Sequence, residues 1–232
     1  MATLFTYGNK LMSFGNNTFL GIGEPAPVPP EPEPIDCVTL GTLKWASSNL
    51  AVQLDSSMCS AYDNVTNNGV NMGKQYYYNV NSISTLNSLY TGWRVPTYDD
   101  WINLMAYCAY TYAGYHYEGG SYIDTPYGKF YPPVTIDSST KGYNYGSMLK
   151  TTGIVWPTSS SGNTNDSGFS ALPTGECWSG GTDNVGTAWY LMNDSTYGVF
   201  WIGDTIYDNN TRLMNYQYMS TDSFTVRLVK DV

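Results

Sequence analysis

Residues 92–104 read GWRVPTYDDWINL, and this stretch carries the clearest element in the chain. Pro96 has a fixed φ and sets the angle at which the chain enters a helix. Thr97 is placed to cap that helix, and Asp99 and Asp100 put negative charge in its first turn, where the helix dipole favours anions. Trp101, Leu104, Met105, Cys108 and Tyr112 then recur at intervals of three and four. The spacing predicts one amphipathic helix over residues 97–113, with the Trp101 side facing a core.

Outward from this helix the pattern changes. Cys37 to Trp45 predicts a strand, Asn68-Gly69 a turn of the primed type, and QYYYNV (75–80) a second strand. Beyond the helix, Gly, Asn, Ser and Pro break the chain into short segments, which is loop-rich β territory. The last strand is expected over Phe224 to Val229, with Phe224, Val226 and Leu228 on one face and Arg227 on the other. The fold class is therefore α+β, with short antiparallel strands and at least one helix.

The chain has 232 residues, enough for a self-sufficient core. Charged residues make up 12%, against about 25% in an ordinary soluble domain. Aromatic residues reach 16% and argue against disorder. The net charge of −9 disfavours a nucleic-acid binder that works by neutralising phosphates, and equally a polybasic membrane-surface protein. No apolar run approaches the roughly 20 residues of a membrane-spanning helix, so no membrane insertion is expected. The four cysteines, Cys37, Cys59, Cys108 and Cys177, form no CxxC pair. They read as free, mostly buried thiols, with a Cys37–Cys59 pairing as the alternative.

Residues 24–34 read EPAPVPPEPEP. Alternating Pro and Glu forms neither helix nor sheet and predicts an extended spacer of about 3.1 Å per residue. The expected organisation is a docking peptide over 1–23, a linker over 24–35 and a head domain over 36–232. The first piece is too small to fold alone. Its spaced apolar residues Leu4, Phe5, Leu11, Met12, Phe14, Phe19, Leu20 and Ile22 suit an extended peptide that docks on another protein. The first 23 residues also lack the basic start, unbroken apolar run and small-residue cleavage site of a signal peptide. Release by lysis, inside a virus particle, would explain an outward-facing composition without such a signal.

Five patches in order are GWRVPTYDDWINL (92–104), MLKTTGIVW (148–156), GNTNDSGFSALPTG (162–175), TAWYLM (187–192) and SFTVRLVKD (223–231). Together they resemble the Fibrobacter succinogenes major paralogous domain, over about residues 75–231. That resemblance implies a fold related to the C-type lectins and to the formylglycine-generating enzyme. The copper chemistry of the latter needs a cysteine pair in the C-terminal part. Here only Cys177 follows Cys108, so no enzyme activity is expected. The single histidine, His116, sits in YAGYHYEGGSY and reads as a surface-loop residue rather than a general base.

Arg94 and Arg227 stand inside otherwise apolar patches. Each is expected to pair with a buried carboxylate or with backbone carbonyls; an anion-binding pair is the alternative. Asn163, Asn165 and Asp166 alternate oxygens at a spacing that can wrap calcium, while simple turn formation accounts for them equally. The Glu-Pro-Asn-type sugar loop of C-type lectins is absent from the head, so no cofactor beyond this calcium candidate is expected.

Residues 193–222 are rich in Tyr, Asn, Asp, Ser and Thr, the chemistry of adaptable binding surfaces. The candidate ligand-binding residues are Tyr197, Trp201, Asp204, Tyr207, Asn209, Asn210, Tyr216 and Tyr218. The layout of docking peptide, spacer and lectin-like head resembles the decoration, head-fibre or tail-appendage proteins of tailed phages. The expected function is a virion structural protein, made in the host cytoplasm and displayed on the particle surface. Residues 1–23 would bind capsid or tail proteins, and the head would engage host-surface glycans. A homo-oligomer, with three copies as the guess, suits a fibre. A bacterial cell-surface adhesin or carbohydrate-binding module is the alternative.

Overall fold

A computed structural model describes residues 3–7, 10–14, 35–112, 122–130, 145–153, 155–156, 163–178, 180–193, 199–202, 211–214 and 222–232. The chain divides into two units, Met1–Glu33 and Pro34–Val232. In the first, Thr3–Tyr7 (β1) and Lys10–Phe14 (β2) pair antiparallel, from Thr3 opposite Phe14 to Tyr7 opposite Lys10. The docking segment is thus a hairpin over its described part, where a single extended peptide was expected. Leu4, Phe5, Leu11, Met12 and Phe14 lie on its strands. Phe19, Leu20 and Ile22, and the Pro/Glu stretch, lie outside the described residues.

At the start of the second unit the structure departs from expectation. Cys37 to Trp45 does not form one strand: Gly41, at φ +68°, folds it into the hairpin Cys37–Leu40 (β3) and Leu43–Ala46 (β4). Cys59–Tyr62 (β5) follows, then the short hairpin Thr66–Asn67 (β6) and Val70–Asn71 (β7). The turn between them has Asn68 at φ +51° and Gly69 at +77°, the primed geometry that an Asn-Gly pair allows. Gln75–Tyr78 (β8) returns to pair with β5. A 3₁₀ turn at Val80–Ser82 then runs into a helix that the sequence reading missed, Ile83–Leu89 (α1). Its seven residues bury only Leu86, too little to show a helical stripe.

Tyr98–Tyr112 is the expected helix (α2). Thr97 Oγ1 accepts the Asp100 N–H at 3.3 Å, and Asp100 Oδ2 accepts the Thr97 N–H at 2.6 Å. This reciprocal capping box satisfies donors that a helix start otherwise leaves orphaned. Ile102, Ala106 and Ala109 are buried along with Trp101, Leu104, Met105 and Cys108, so the buried face is broader than a surface stripe. The remaining elements are Ile123–Thr125 (β9), Gly128–Phe130 (β10), Tyr145–Leu149 (α3), Glu176–Trp178 (β11), Gly181–Asp183 (β12), Ala188–Leu191 (β13), Val199–Ile202 (β14), Thr211–Met214 (β15) and Val229–Asp231 (β16). β9 pairs with β10 and β11 with β12, β13–β14–β15 form an antiparallel sheet, and β16–β4–β3 form another.

The C-terminal segment ties these pieces together. Its regular ladder is confined to β16, paired with β4, rather than covering Phe224 to Val229 as expected. Upstream of β16 it bonds to a different neighbour at nearly every step. Ser223 exchanges hydrogen bonds with Cys177, Phe224 with Tyr78, and Val229 with Arg94. Between them the carbonyls of Thr225, Val226 and Leu228 accept N–H groups from Leu191, Leu50 and Ala46. Phe224, Val226 and Leu228 enter one apolar cluster with Tyr78, Leu86, Val95 and Leu191. Val229 belongs to a second cluster, and Thr225 and Arg227 are also fully buried, so both faces of the segment lie in the interior.

The second cluster centres on four rings. Trp45 lies 4.6 Å from Trp101 and 5.7 Å from Phe169, and Tyr190 lies 5.5 Å from Trp101 and 5.8 Å from Phe169. Such tilted and edge-on pairs add about 0.5–1.5 kcal/mol each beyond burial of their area.

Candidate functional site

The Ser167–Ala171 stretch is held by the end of α3. That short helix exposes its last carbonyls, and the returning chain satisfies them. Thr164 N–H bonds Ser147 O at 3.0 Å, Ser167 N–H bonds Met148 O at 3.2 Å, and Ala171 N–H bonds Leu149 O at 2.7 Å. The Ser167 hydroxyl also donates to Met148 O at 2.6 Å. Phe169 is thereby pressed into the four-ring cluster, and its carbonyl and that of Ser170 face Arg227.

Arg227 is fully buried. Its guanidinium donates to Ala46 O at 2.9 Å, Phe169 O at 2.7 Å, Ser170 O at 2.8 Å and Asn49 Oδ1 at 2.8 Å. Arg94 instead grips Asp100 with two hydrogen bonds and lies 3.6 Å from Asp231. Burial pushes the Asp100 carboxyl up, but Arg94 and the Thr97 N–H and hydroxyl outweigh it and hold it below the usual range. The two arginines are therefore structural fasteners, one on carbonyls and one on a carboxylate, and not an anion-binding pair.

Two of the three calcium-candidate residues take part in turn hydrogen bonds. Asn165, at φ +52°, accepts the Ser170 N–H on Oδ1 and donates from Nδ2 to Ser170 Oγ, both at 2.9 Å. Asp166 Oδ2 accepts the Thr164 hydroxyl at 2.8 Å. These two hold the loop's own donors, whereas Asn163 Oδ1 is buried with no hydrogen-bond partner among the described residues. Among the described residues no cluster of three His, Cys, Asp or Glu side chains is placed to hold a metal ion. No described helix is long and apolar enough to cross a membrane.

Of the eight candidate ligand-binding residues, Trp201 alone is described. It lies on β14, in register with Trp189 of β13 and Arg212 of β15. Tyr197, Asp204, Tyr207, Asn209, Asn210, Tyr216 and Tyr218 lie outside the described residues, as does His116. Within 193–222, residues 199–202 and 211–214 form two strands of a sheet whose Ile202 is buried in the core.

The sequence reading passed over a more completely described constellation on the β11–β12 hairpin. Cys177 points inward, with its Sγ 3.5 Å from the Tyr62 hydroxyl. That contact, followed by burial, pushes the Tyr62 hydroxyl up to about 12. Glu176 and Trp178 flank Cys177 and share the opposite face of the strand. Trp178 is 56% exposed, whereas Glu176 is buried. Asn184 Nδ2 donates to Glu176 Oε1 at 2.6 Å, and Asp183 is the cross-strand register partner of Glu176. Burial, with Asp222 and Asp183 nearby, raises the Glu176 carboxyl despite the Asn184 hydrogen bond. The arrangement presents an open indole beside a carboxylate–amide pair and can stack on an apolar ring face and accept hydrogen bonds. The signal was in GECWSGG: Glu and Trp two apart on one strand face, just before a glycine turn.

All four thiols are free. Cys59, Cys108 and Cys177 are buried, and Cys37 is exposed. The family model of the Fibrobacter succinogenes major domain matches residues 38–230, nearly the whole of the second unit. No curated protein and no solved structure matches the chain.

Proposed function

Since the chain belongs to the Fibrobacter succinogenes major domain family, we propose that its domain is the displayed head of a virion attachment protein. In this reading residues 1–23 bind capsid or tail proteins, the Pro/Glu stretch holds the head off the surface, and the head engages host-surface glycans by binding without catalysis. The head takes the C-type-lectin-like variety of the α+β class. Several such heads, three in the simplest fibre, stand together on the particle.

The observation that carries this reading is the division of the chain. The chain divides into a 33-residue unit that carries a two-stranded hairpin and a 199-residue unit. An isolated two-stranded hairpin is marginal in water, so it gains most from a third strand or an apolar surface supplied by a partner. The five apolar residues on its strands supply the contact. Electron cryomicroscopy of the native particle tests the reading. Density for residues 3–14 seated against capsid or tail protein supports it; the protein absent from particles, or bound through the head instead, contradicts it.

The exposed Trp178 is equally compatible with a bacterial cell-surface adhesin or carbohydrate-binding module. Localisation by antibody to particles or to the cell envelope separates the two.

A further inference from the structure

We infer that the Glu176–Trp178 face of the β11–β12 hairpin is the saccharide-binding surface of the head, with the Trp178 indole as the platform for a neutral hexose ring. This deepens the adhesive part of the proposed function and rests on it. It assigns the contact to a surface outside residues 193–222.

Trp178 is the most exposed aromatic side chain among the described residues, on a domain whose Trp45, Trp101 and Trp156 are fully buried. An exposed indole in a hairpin is often explained as a cover for a cross-strand glycine. That explanation fails here. Trp178 is in register with Gly181, yet no described residue lies within 4 Å of where a Cβ on Gly181 would stand, and the same holds for Gly180. The indole is not covering the glycine, and among the described residues none crowds the space beside it.

Behind this platform, on the same strand face, stands the Glu176–Asn184 pair. Glu176 Oε1 is held by Asn184, which fixes the carboxylate in place. Glu176 is itself buried and so orients Asn184, whose exposed side-chain amide beside a flat, electron-rich ring suits a pyranose, with one face lined by C–H groups and a rim of hydroxyls. Asp183, directly opposite Glu176 in the register and exposed, adds a second carboxylate and disfavours anionic sugars.

The test uses full-length ¹⁵N-labelled protein titrated with gluco-, manno- and galacto-hexasaccharides, following the Trp178 indole Nε1–H signal, which W178F identifies. The expected result is a saturable shift of that signal with at least one probe. W178A should weaken binding at least tenfold and E176Q by about three- to tenfold, both with unchanged amide spectra elsewhere. Wild-type binding that survives W178A overturns this site while leaving the adhesive reading in place. A wild-type protein that binds none of the probes overturns both.

Discussion

The Arg227 guanidinium carbon lies 4.7 Å over the Phe169 ring while the same group donates to the Phe169 carbonyl at 2.7 Å. One side chain thus fixes both the ring that enters the aromatic cluster and the backbone that carries it. The other bonds, to Ala46, Ser170 and Asn49, join three further points of the chain to the C-terminal segment just before β16.

Replacing Arg227 should therefore be costly even by another cation. Lys offers three donors from one point and cannot match a planar fork that serves four acceptors. R227K should destabilise the protein by at least about 3 kcal/mol, since buried carbonyls are left unsatisfied. Chemical denaturation at pH 7 checks this; a loss under about 1 kcal/mol, the net worth of a single ordinary hydrogen bond, would contradict the fastening role.

Asp100 joins the Arg94 contact to the capping box of α2. D100N should cost about 2–4 kcal/mol at pH 7, from a charge-assisted pair together with a weakened cap. The Asp100 carboxyl is held below its ordinary value of 3.8. Its contribution is thus present above that value and is lost as pH falls through the lower, folded-state one. The stability gap between wild type and D100N should narrow on acidification into that window, as followed by thermal melts from pH 7 to pH 2.

Glu176 works with the opposite sign. Its carboxyl is raised above 4.5 in the folded protein, so the native state holds its proton more tightly than the unfolded chain does. Stability from this group is greatest below 4.5 and falls as pH rises through the folded value. E176Q keeps an oxygen for Asn184 and removes the charge. It should raise stability at pH 7 by on the order of 1 kcal/mol and have no effect at pH 3. Equal melting temperatures at pH 7 would show that the carboxylate is not strained.

Gly41 is required by shape as well as by its φ of +68°. A Cβ there would stand 1.7 Å from the Tyr127 hydroxyl oxygen, which accepts the Thr42 N–H at 3.1 Å. G41A should cost about 2–4 kcal/mol. Y127F removes the clashing oxygen but leaves the ring Cζ 2.7 Å from the added Cβ, so the same substitution in that background should cost less, with about 1 kcal/mol of backbone strain and a smaller ring contact remaining. A double-mutant cycle measures the difference.

The sequence disclosed those elements whose signals are local. The α2 start was legible because proline, cap and acidic residues sit within five positions, and the Asn68-Gly69 turn because its φ demand is residue-specific. The five family motifs were legible because the groups they position are joined in space: Trp101, Phe169, Tyr190 and Arg227 meet in one cluster. The break at Gly41 was hidden because Cys37 to Trp45 has strand propensity throughout, and the close approach of Tyr127 comes from 86 residues away. The C-terminal strand was read as one ladder because periodicity shows which face is buried but not that each residue bonds to a different neighbour. The Glu176–Trp178 face was overlooked because only the exposure of one ring and the burial of its neighbour set it apart from the many other aromatic residues.

In the proposed function, residues 1–23 are what holds the protein on its particle. Deleting them and quantifying the protein on purified particles decides the point, with circular dichroism and melting of the truncated protein confirming an intact head. A folded head that is absent from the particles is expected; particles that still carry it at the wild-type level would contradict the anchoring role.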